Sequence, residues 1–195
     1  MSKLYFRYGV MSSGKTAALL QVAHNYEEKG MKIILIKPAI DTKGEDKVTS
    51  RLGIERPVDV LLGKDERILD VVPPERPHAI IVDEAQFLTT KQVEELYAIT
   101  KVYDIPVLAY GLRCDFQMNG FPGATRLLEI ADDIEELKTI CSCGKKATQN
   151  IRTYNGVPTF DGDQVVIDGT IDVQYDSVCG GCYLKLRKKY GQNHI

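Results

Sequence analysis

The sequence predicts an α/β fold, in which a mainly parallel sheet is flanked by helices and followed by a small cysteine-rich module. Segments typical of strands alternate with segments typical of helices from residue 1 to 140, which is the pattern of a parallel sheet with helical crossovers. The strand segments are continuous apolar runs, as expected of strands that are buried on both faces. After Ile140, cysteines, glycines and short strand-like pieces replace this alternation. We therefore predict one domain at residues 1–140 and a second at residues 141–195.

The first elements predict a strand–helix–strand unit. The segment LYFRYGV is typical of a strand and is followed by a glycine-rich turn. Apolar residues at helical spacing then predict a helix that ends near Gly30, and MKIILIKPAI is a second buried strand. Two parallel strands joined by a helix form a right-handed crossover.

The rest of the main domain continues the alternation after one irregular segment. Residues 41–57 are polar and lack clean periodicity, which predicts a mobile loop or flap. VDVLL is a short strand, and residues 64–72 form a helix that a tandem proline ends. Thr89 and Gln92 have the spacing of a capping box, which opens a helix to about Tyr103. The further predicted elements are strands at HAIIVDEAQF, IPVLAYGL and IEELKTI and a helix at FPGATRLLEIA.

The composition argues against a nucleic-acid or membrane partner. The chain has a net charge of −2 and no Trp, whereas proteins that bind nucleic acid usually carry a basic face. One basic run, Arg187 to Lys189, is typical of a solvated helix face. No stretch approaches the ~18 consecutive apolar residues of a membrane span, and the segment MSKLYFRYG lacks the features of a signal peptide. We therefore expect a cytosolic protein.

A phosphate-binding motif lies between the first predicted strand and helix. GVMSSGKT matches the pattern G-x-x-x-x-G-K-[ST] in full. Gly9 and Gly14 permit backbone conformations that bring N–H groups around phosphates. Lys15 reaches the β- and γ-phosphates, and the Thr16 hydroxyl can bind Mg²⁺. The sequence therefore predicts a P-loop, RecA-like fold that binds a nucleoside triphosphate through Gly9, Val10, Met11, Ser12, Ser13, Gly14, Lys15 and Thr16.

An acidic pair ends one of the buried strands. Asp83 stands at the carboxyl end of AIIV, where a parallel sheet presents its ligand crevice, and we expect it to bind Mg²⁺ together with Thr16. Glu84 follows directly and could act as general base. Its target would be a water molecule in an ATPase or a substrate hydroxyl in a kinase, and the pair alone does not separate these functions.

Four of the five cysteines form two close pairs. Cys141 and Cys143 form C-x-C, and Cys179 and Cys182 form C-x₂-C. Four thiolates satisfy tetrahedral Zn²⁺ and leave no open position, so we predict a structural zinc site, with a redox pair as the alternative. The segment between the pairs contains little apolar material, and we expect the metal to order it. The fifth, Cys114, is interpreted as a small buried residue.

These three motifs together resemble the thymidine kinases of the zinc-containing family shared by human cytosol and many bacteria. The resemblance runs from Leu4 to about Lys189 and includes two further segments. YGLRCDF resembles the family's substrate-side segment and is followed by Phe121. VVIDGTIDVQYDSVCGGCY resembles the family's lasso, a zinc-tethered loop that closes over the nucleoside; we call residues 165–183 the lasso. Its I-D-G at Ile167 stands where the family commonly has I-G-G, so Asp168 replaces a glycine.

The resemblance implies a reaction, an assembly and a set of site residues. Family members transfer the γ-phosphoryl of ATP to the 5′-hydroxyl of thymidine, work as tetramers and are inhibited by dTTP. By the same resemblance Glu84 is the catalytic base, and we expect deoxyuridine as a second acceptor. Arg113, just past a strand end, is a candidate partner for a phosphate or a carboxylate. Arg51, in the predicted loop, is either a partner of the donor phosphates or a solvated surface residue. The residues that the resemblance places around the nucleoside are Met11, Leu112, Phe116, Phe121, Val166, Ile167, Asp168, Gly169 and Tyr175. For Leu112, Phe116 and Phe121, a position in the hydrophobic core is the alternative.

Two other functions share some of these features. A nucleic-acid-dependent ATPase with a zinc ribbon would also contain a P-loop and an acidic pair, although the low net charge and the absence of Trp argue against it. A regulatory ATP-binding module whose zinc loop docks a partner is the second alternative. ATP hydrolysis stimulated by single-stranded DNA would favour the first, and no turnover with any nucleoside would favour the second.

Overall fold

A computed structural model describes residues 1–39, 46–72, 75–165 and 172–191. Its strands are β1 (Leu4–Tyr8), β2 (Ile33–Pro38), β3 (Lys47–Thr49), β4 (Glu55–Pro57), β5 (Val60–Leu62), β6 (Ala79–Val82), β7 (Val107–Gly111), β8 (Asp133–Glu136), β9 (Gln149–Tyr154), β10 (Val157–Thr159) and β11 (Val173–Val178). Its helices are α1 (Lys15–Glu28), α2 (Ile68–Val71), α3 (Thr90–Val102), α4 (Pro122–Ile130) and α5 (Gly180–Tyr190). None of the helices within these ranges has the length and apolar character needed to cross a membrane.

The main sheet confirms the predicted α/β fold. Its six strands lie in the order β5-β2-β6-β7-β1-β8, and every neighbouring pair is parallel. Parallel neighbours bring all carboxyl ends to one edge of the sheet, so the residues that follow β1, β6 and β7 lie close together. That edge carries the P-loop, the acidic pair and the segment from Leu112 onward.

Both faces of the sheet are buried, because successive residues of a strand point to opposite faces. In β6, Ile80 and Val82 join a core with residues of α3 and α4. Ala79 and Ile81, in the same strand, join a second core with residues of α1. This arrangement explains why the central strands are continuous apolar runs rather than alternating ones.

The capping box is confirmed, and two other local predictions need correction. Thr89 and Gln92 each bond the other's backbone at the start of α3. The predicted loop at residues 41–57 contains an antiparallel hairpin of β3 and β4; residues 40–45 lie outside the described part. Strands of three residues are too short for their alternation to be recognised in the sequence. The helix predicted at 64–72 is limited to α2, because the Gly63 N–H bonds the Glu66 carboxylate in a turn that precedes it.

The part of the chain after Ile140 forms a second, antiparallel sheet in the order β10-β9-β11, on which α5 packs. Its apolar residues gather in a small cluster of their own, and that a metal orders this segment stays a prediction. Phe160 and Tyr183 meet edge to face, with 5.3 Å between ring centroids. The members of the cluster are Cys141, Ala147, Ile151, Phe160, Val178, Cys179 and Tyr183.

Candidate active site

The predicted phosphate-binding loop joins β1 to α1 in the expected geometry. Gly14 has φ +81°, a left-handed conformation that favours glycine. Gly9 is required for space, since a Cβ atom there would lie 2.2 Å from the Ser13 Oγ and 2.7 Å from the Leu137 carbonyl oxygen. The Ser13 N–H bonds the Val10 carbonyl and closes the loop. The backbone therefore curls around an open centre at the N-terminus of α1, which favours an anion.

Lys15 lies across this loop. Its Nζ donates to the Val10 carbonyl at 2.8 Å and approaches the Gly9 carbonyl at 3.4 Å. Burial lowers the pKa of Lys15, and the nearby carboxylates of Glu84 and Asp83 oppose that shift. The ammonium is thus held by weak carbonyl partners that a phosphate could replace.

Asp83 and Glu84 follow β6 in adjacent but different environments. Asp83 is buried, and its N–H bonds the Ile36 carbonyl of β2. Burial raises the pKa of Asp83 to about 7, the Glu84 carboxylate adds to the increase, and Lys37 and Lys15 act in the opposite direction. Glu84 is half-buried and has φ +49°, in the left-handed region that non-glycine residues rarely adopt. The two neighbouring carboxyl groups therefore differ in burial.

A cavity of about 300 Å³ lies beside Glu84. Six of the predicted site residues line it, namely Met11, Glu84, Leu112, Phe116, Phe121 and Tyr175. Seven further residues that the sequence analysis did not select complete its wall, namely Lys37, Gln86, Phe87, Asp115, Asn150, Gln164 and Val165. Of these, Lys37, Gln86 and Phe87 follow or end strands β2 and β6, so their position at a strand end was a usable signal. Asn150 and Gln164 lie in the second sheet region and had no such signal.

The remaining predicted residues lie elsewhere. Arg113 is exposed and lines a small neighbouring cleft that also contains Gly9, with its guanidinium 5.9 Å from the centre of the Tyr8 ring. Arg51 is exposed, and its charge lowers the pKa of Lys15. Cys114 is buried as predicted. The predicted lasso residues Val166, Ile167, Asp168 and Gly169 lie outside the described residues.

Side chains of the second sheet reach the cavity and the P-loop. Asn150 in β9 accepts from the Met11 N–H and donates to the Cys114 carbonyl, both at 2.8 Å. Gln164, just before the undescribed part of the lasso, donates to the Asp115 carboxylate at 3.0 Å. The cavity is thus walled jointly by the strand ends of the main sheet and by the second sheet.

The four paired cysteines come together as predicted. The sulfur atoms of Cys141, Cys143, Cys179 and Cys182 lie within 4.8 Å of one another. Hydrogen bonds from the backbone at Cys143 and Cys179 lower the pKa of Cys141 to about 6, whereas the neighbouring thiols raise the pKa of Cys182 to about 12. Four thiolates this close cannot all be charged unless a cation neutralises them. The donor set and its spacing therefore fit Zn²⁺, which binds thiolates at ~2.3 Å in a tetrahedron.

A parallel sheet whose first strand enters a phosphate-binding loop, with a carboxylate at a neighbouring strand end, places the chain in the class of P-loop α/β proteins. The family model for thymidine kinase matches residues 2–183. The chain therefore belongs to the thymidine kinase family and is a nucleoside kinase. This assignment disfavours the alternative of a nucleic-acid-dependent ATPase.

Curated relatives named thymidine kinase cover nearly the same part of the chain. The protein of Streptococcus agalactiae serotype Ia is 44% identical over 183 residues, which are 92% of this chain and 95% of the relative. The protein of Streptococcus gordonii is 43% identical over 189 residues, 95% of this chain and 97% of the relative. The protein of Rhodopirellula baltica is 47% identical over 185 residues, 92% of this chain and 86% of the relative.

Proposed function

We propose that the protein transfers the γ-phosphoryl group of ATP to the 5′-hydroxyl of thymidine, giving dTMP, and accepts deoxyuridine as a second substrate. The observation that carries this proposal is the shared wall of one cavity. Glu84 lies in that wall together with the aromatic rings of Phe116 and Phe121, next to the P-loop residue Met11. A nucleoside held against these rings would have its hydroxyl between the carboxylate and the phosphate-binding loop.

The donor side of the site is proposed to consist of the P-loop and Asp83. Backbone N–H groups from Gly9 to Thr16 would surround the β- and γ-phosphates, and Lys15 would exchange its carbonyl partners for phosphate oxygens. Thr16 and Asp83 would hold Mg²⁺, which when bound neutralises charge on these phosphates. Asp83 is buried beside Glu84 and Lys15, so this carboxylate is available at the sheet edge where the metal is needed.

The acceptor side is proposed to consist of Met11, Leu112, Phe116, Phe121 and Tyr175, closed by the lasso residues Val166, Ile167, Asp168 and Gly169. Aromatic and apolar side chains provide a flat, dry surface for a pyrimidine ring. Arg113 shares its cleft with Gly9, and we place it on the phosphate side of the reaction. Arg51 is proposed to approach the same phosphates.

Glu84 is proposed to orient and deprotonate the 5′-hydroxyl in an in-line transfer. Closure of the lasso would exclude water, which otherwise competes as acceptor. We also propose that the zinc site clamps the base of the lasso in a second domain at residues 141–195. Homotetramer formation, inhibition by dTTP, a cytoplasmic location and a role in nucleotide salvage for DNA synthesis complete the proposal, without a nucleic-acid or membrane partner.

Transfer from γ-labelled ATP with Mg²⁺ to a panel of nucleosides tests the reaction. We expect label in thymidine and deoxyuridine monophosphates and little in cytidine or purine products. Glu84→Gln should lower kcat by about 10²–10⁴-fold while ATP binding is unchanged. Label that goes only to free phosphate would show that water is the acceptor, and full turnover in the variant would refute the role of Glu84.

A further inference from the structure

A backbone hydrogen bond and a left-handed residue define the turn that carries Glu84. Glu84 adopts a left-handed conformation, which costs about 1 kcal/mol or more for a residue other than glycine. Its carbonyl accepts from the Phe87 N–H, which starts a single 3-10 turn at Ala85–Phe87. Backbone bonds of this kind fix the main chain at Glu84 but leave its side chain free to rotate. A second contact must therefore direct the carboxylate.

That contact is supplied by Gln86. Its Nε2 donates to the Glu84 Oε2 at 2.5 Å, and its Oε1 accepts from the Leu112 N–H at 3.0 Å. A backbone N–H can only donate, so the bond to Leu112 fixes which end of the amide faces the carboxylate. Gln86 is 1% exposed, and water cannot replace either bond. The amide has one orientation, and so has the carboxylate that it contacts.

Two glycines leave the space that this arrangement needs. A Cβ atom at Gly111, the last residue of β7, would lie 2.6 Å from the Gln86 Oε1. A Cβ atom at Gly123, in α4, would lie 2.6 Å from the carbonyl oxygens of both Ala85 and Leu88. The turn is therefore enclosed by β7 on one side and by α4 on the other. An amide enclosed in this way keeps its position when the cavity is filled.

We propose that Gln86 is a positioning residue for the reaction: it aims the Glu84 carboxylate and ties it to Leu112, whose side chain lines the nucleoside cavity. The base and the wall that holds the nucleoside are thereby linked through one amide. Gln86 acts through Glu84 and does not itself exchange a proton with the substrate. This inference rests on the proposed role of Glu84 as general base, and its test must separate the two.

Two substitutions at Gln86 test the hydrogen bonds that it makes to Glu84 and to Leu112. Gln86→Met keeps the approximate shape of the side chain and removes both bonds. Gln86→Glu keeps an acceptor for the Leu112 N–H and, at a pH where the new carboxyl group is ionised, has no donor that faces Glu84. Both variants should lose kcat by about 10–100-fold, the scale expected for a misaligned catalytic group. KM for thymidine and for ATP should change by less than about 3-fold, because Gln86 is 1% exposed and both of its hydrogen bonds join protein groups. Wild-type kcat in Gln86→Met, which removes both bonds, would overturn the proposal.

The matched control is Gln92→Met. Gln92 is also a buried glutamine that holds backbone carbonyls, those of Gly63 and Glu66 among them, but it lies at the start of α3 away from the cavity. We expect a lower Tm for this variant with unchanged kcat. If Gln92→Met and Gln86→Met lose kcat in proportion to their loss of Tm, Gln86 has a structural role only and the proposal fails.

A double-substitution cycle with Glu84→Gln, measured by single-turnover transfer from labelled ATP, completes the test. Once the base is absent its orientation is irrelevant, so the double variant Glu84→Gln/Gln86→Met should transfer at the rate of Glu84→Gln within about 2-fold. Additive losses would overturn the positioning role and leave the base assignment intact. Full turnover in Glu84→Gln alone would overturn both.

Discussion

The main sheet and the second sheet reach order by different means. In the main sheet each central strand is buried on both faces, and two apolar layers enclose it. Within the described residues the second sheet has three antiparallel strands and one small apolar cluster, and two members of this cluster, Cys141 and Cys179, belong to the four cysteines that could hold a metal ion. A cluster of this size stabilises little by itself. We therefore expect the first region to depend on apolar burial, and the second to depend on a metal ion held by the four cysteines.

Several contacts between the two regions lie at the cavity or directly beside it. Tyr183 donates to the Phe116 carbonyl at 2.8 Å, and Gln117 donates to the Phe160 carbonyl at 3.1 Å. Arg152, fully buried in β9, lies with its guanidinium 3.7 Å from the centre of the Phe116 ring. Each contact holds a residue of the cavity wall or its neighbour. A change in the order of the second sheet should therefore reach the nucleoside site directly.

Removal of the metal should have the largest effect and should be confined at first to the second sheet. We expect a chelator, or Cys143→Ser, to abolish hydrogen-exchange protection in β9, β11 and α5, because structural zinc contributes on the order of 10 kcal/mol to such modules. Protection in β6 and β7 should persist, whereas transfer activity should be lost. Cys114→Ala is the control, since Cys114 lies outside the cluster, and it should keep its full metal content. Unchanged hydrogen-exchange protection of β9 in the metal-free protein would show that the second sheet does not depend on the metal.

The same Ile→Ala truncation should lower the unfolding free energy more in the main sheet than in the second sheet. Ile80 is fully buried in the central strand β6, and Ile80→Ala should cost about 3–5 kcal/mol of unfolding free energy for the whole main sheet. Ile151→Ala in β9 should cost about 2 kcal/mol or less, because the metal holds that region and the small cluster can relax. Chemical denaturation of both variants, each with its metal retained, measures the difference. Equal losses would show that the second cluster is a full core.

The two regions should also respond to pH with opposite signs. The pKa of Asp83 is raised from 3.8 to about 7 in the folded protein, mainly by burial. The folded state therefore holds the Asp83 proton more tightly than the unfolded state does. The stability that this proton contributes is fully present below pH 4 and is lost as the pH rises to about 7. Cysteines bind metal as thiolates, so their metal affinity increases as the pH rises. We therefore expect the second sheet to become more stable in the same direction.

Asp83→Asn tests the first of these signs. In Mg²⁺-free buffer the substitution should raise the unfolding free energy by about 2–4 kcal/mol at pH 8, because it removes the cost of a buried charge. The gain should be clearly smaller at pH 5, where Asp83 is already protonated in the folded protein. Thermal unfolding at the two pH values measures the difference. A gain that is the same at both would mean that Asp83 does not titrate in this range.

The same contrast explains what the sequence could predict. The main sheet was predictable because apolar runs, the P-loop motif and the capping box at Thr89 are local patterns. The second sheet depends on pairings between β9 and β11, some twenty residues apart in the chain, which no local pattern specifies. One signal was available and unused: Asn155 and Gly156 both have positive φ at the turn between β9 and β10, and Asn-Gly is a strong hairpin signal.

The site shows the same division. Glu84, Phe116 and Phe121 were found from a strand end and a family resemblance, and the structure places them in one wall. Gln86 stands two residues from Glu84 and could have been considered on position alone. Asn150 could not, because its function depends on a side chain that crosses from one sheet to the loop of the other. Local sequence patterns predict helices and strands, whereas a side-chain contact between the two sheets can be recognised only in the structure.

Asn150 provides the smallest and most specific test of that junction. Its amide joins the Met11 N–H of the P-loop to the Cys114 carbonyl, and it is 3% exposed. Asn150→Ala leaves both groups without this partner, at a cost of about 1–3 kcal/mol, and should weaken ATP binding because the P-loop backbone loses its support. Asn150→Asp keeps the acceptor for Met11 and should retain more of the ATP affinity than Asn150→Ala. Asn119→Ala, an exposed site, is the control. ATP titration by calorimetry decides the outcome: equal affinities in all three variants would mean that the second sheet does not support the phosphate-binding loop.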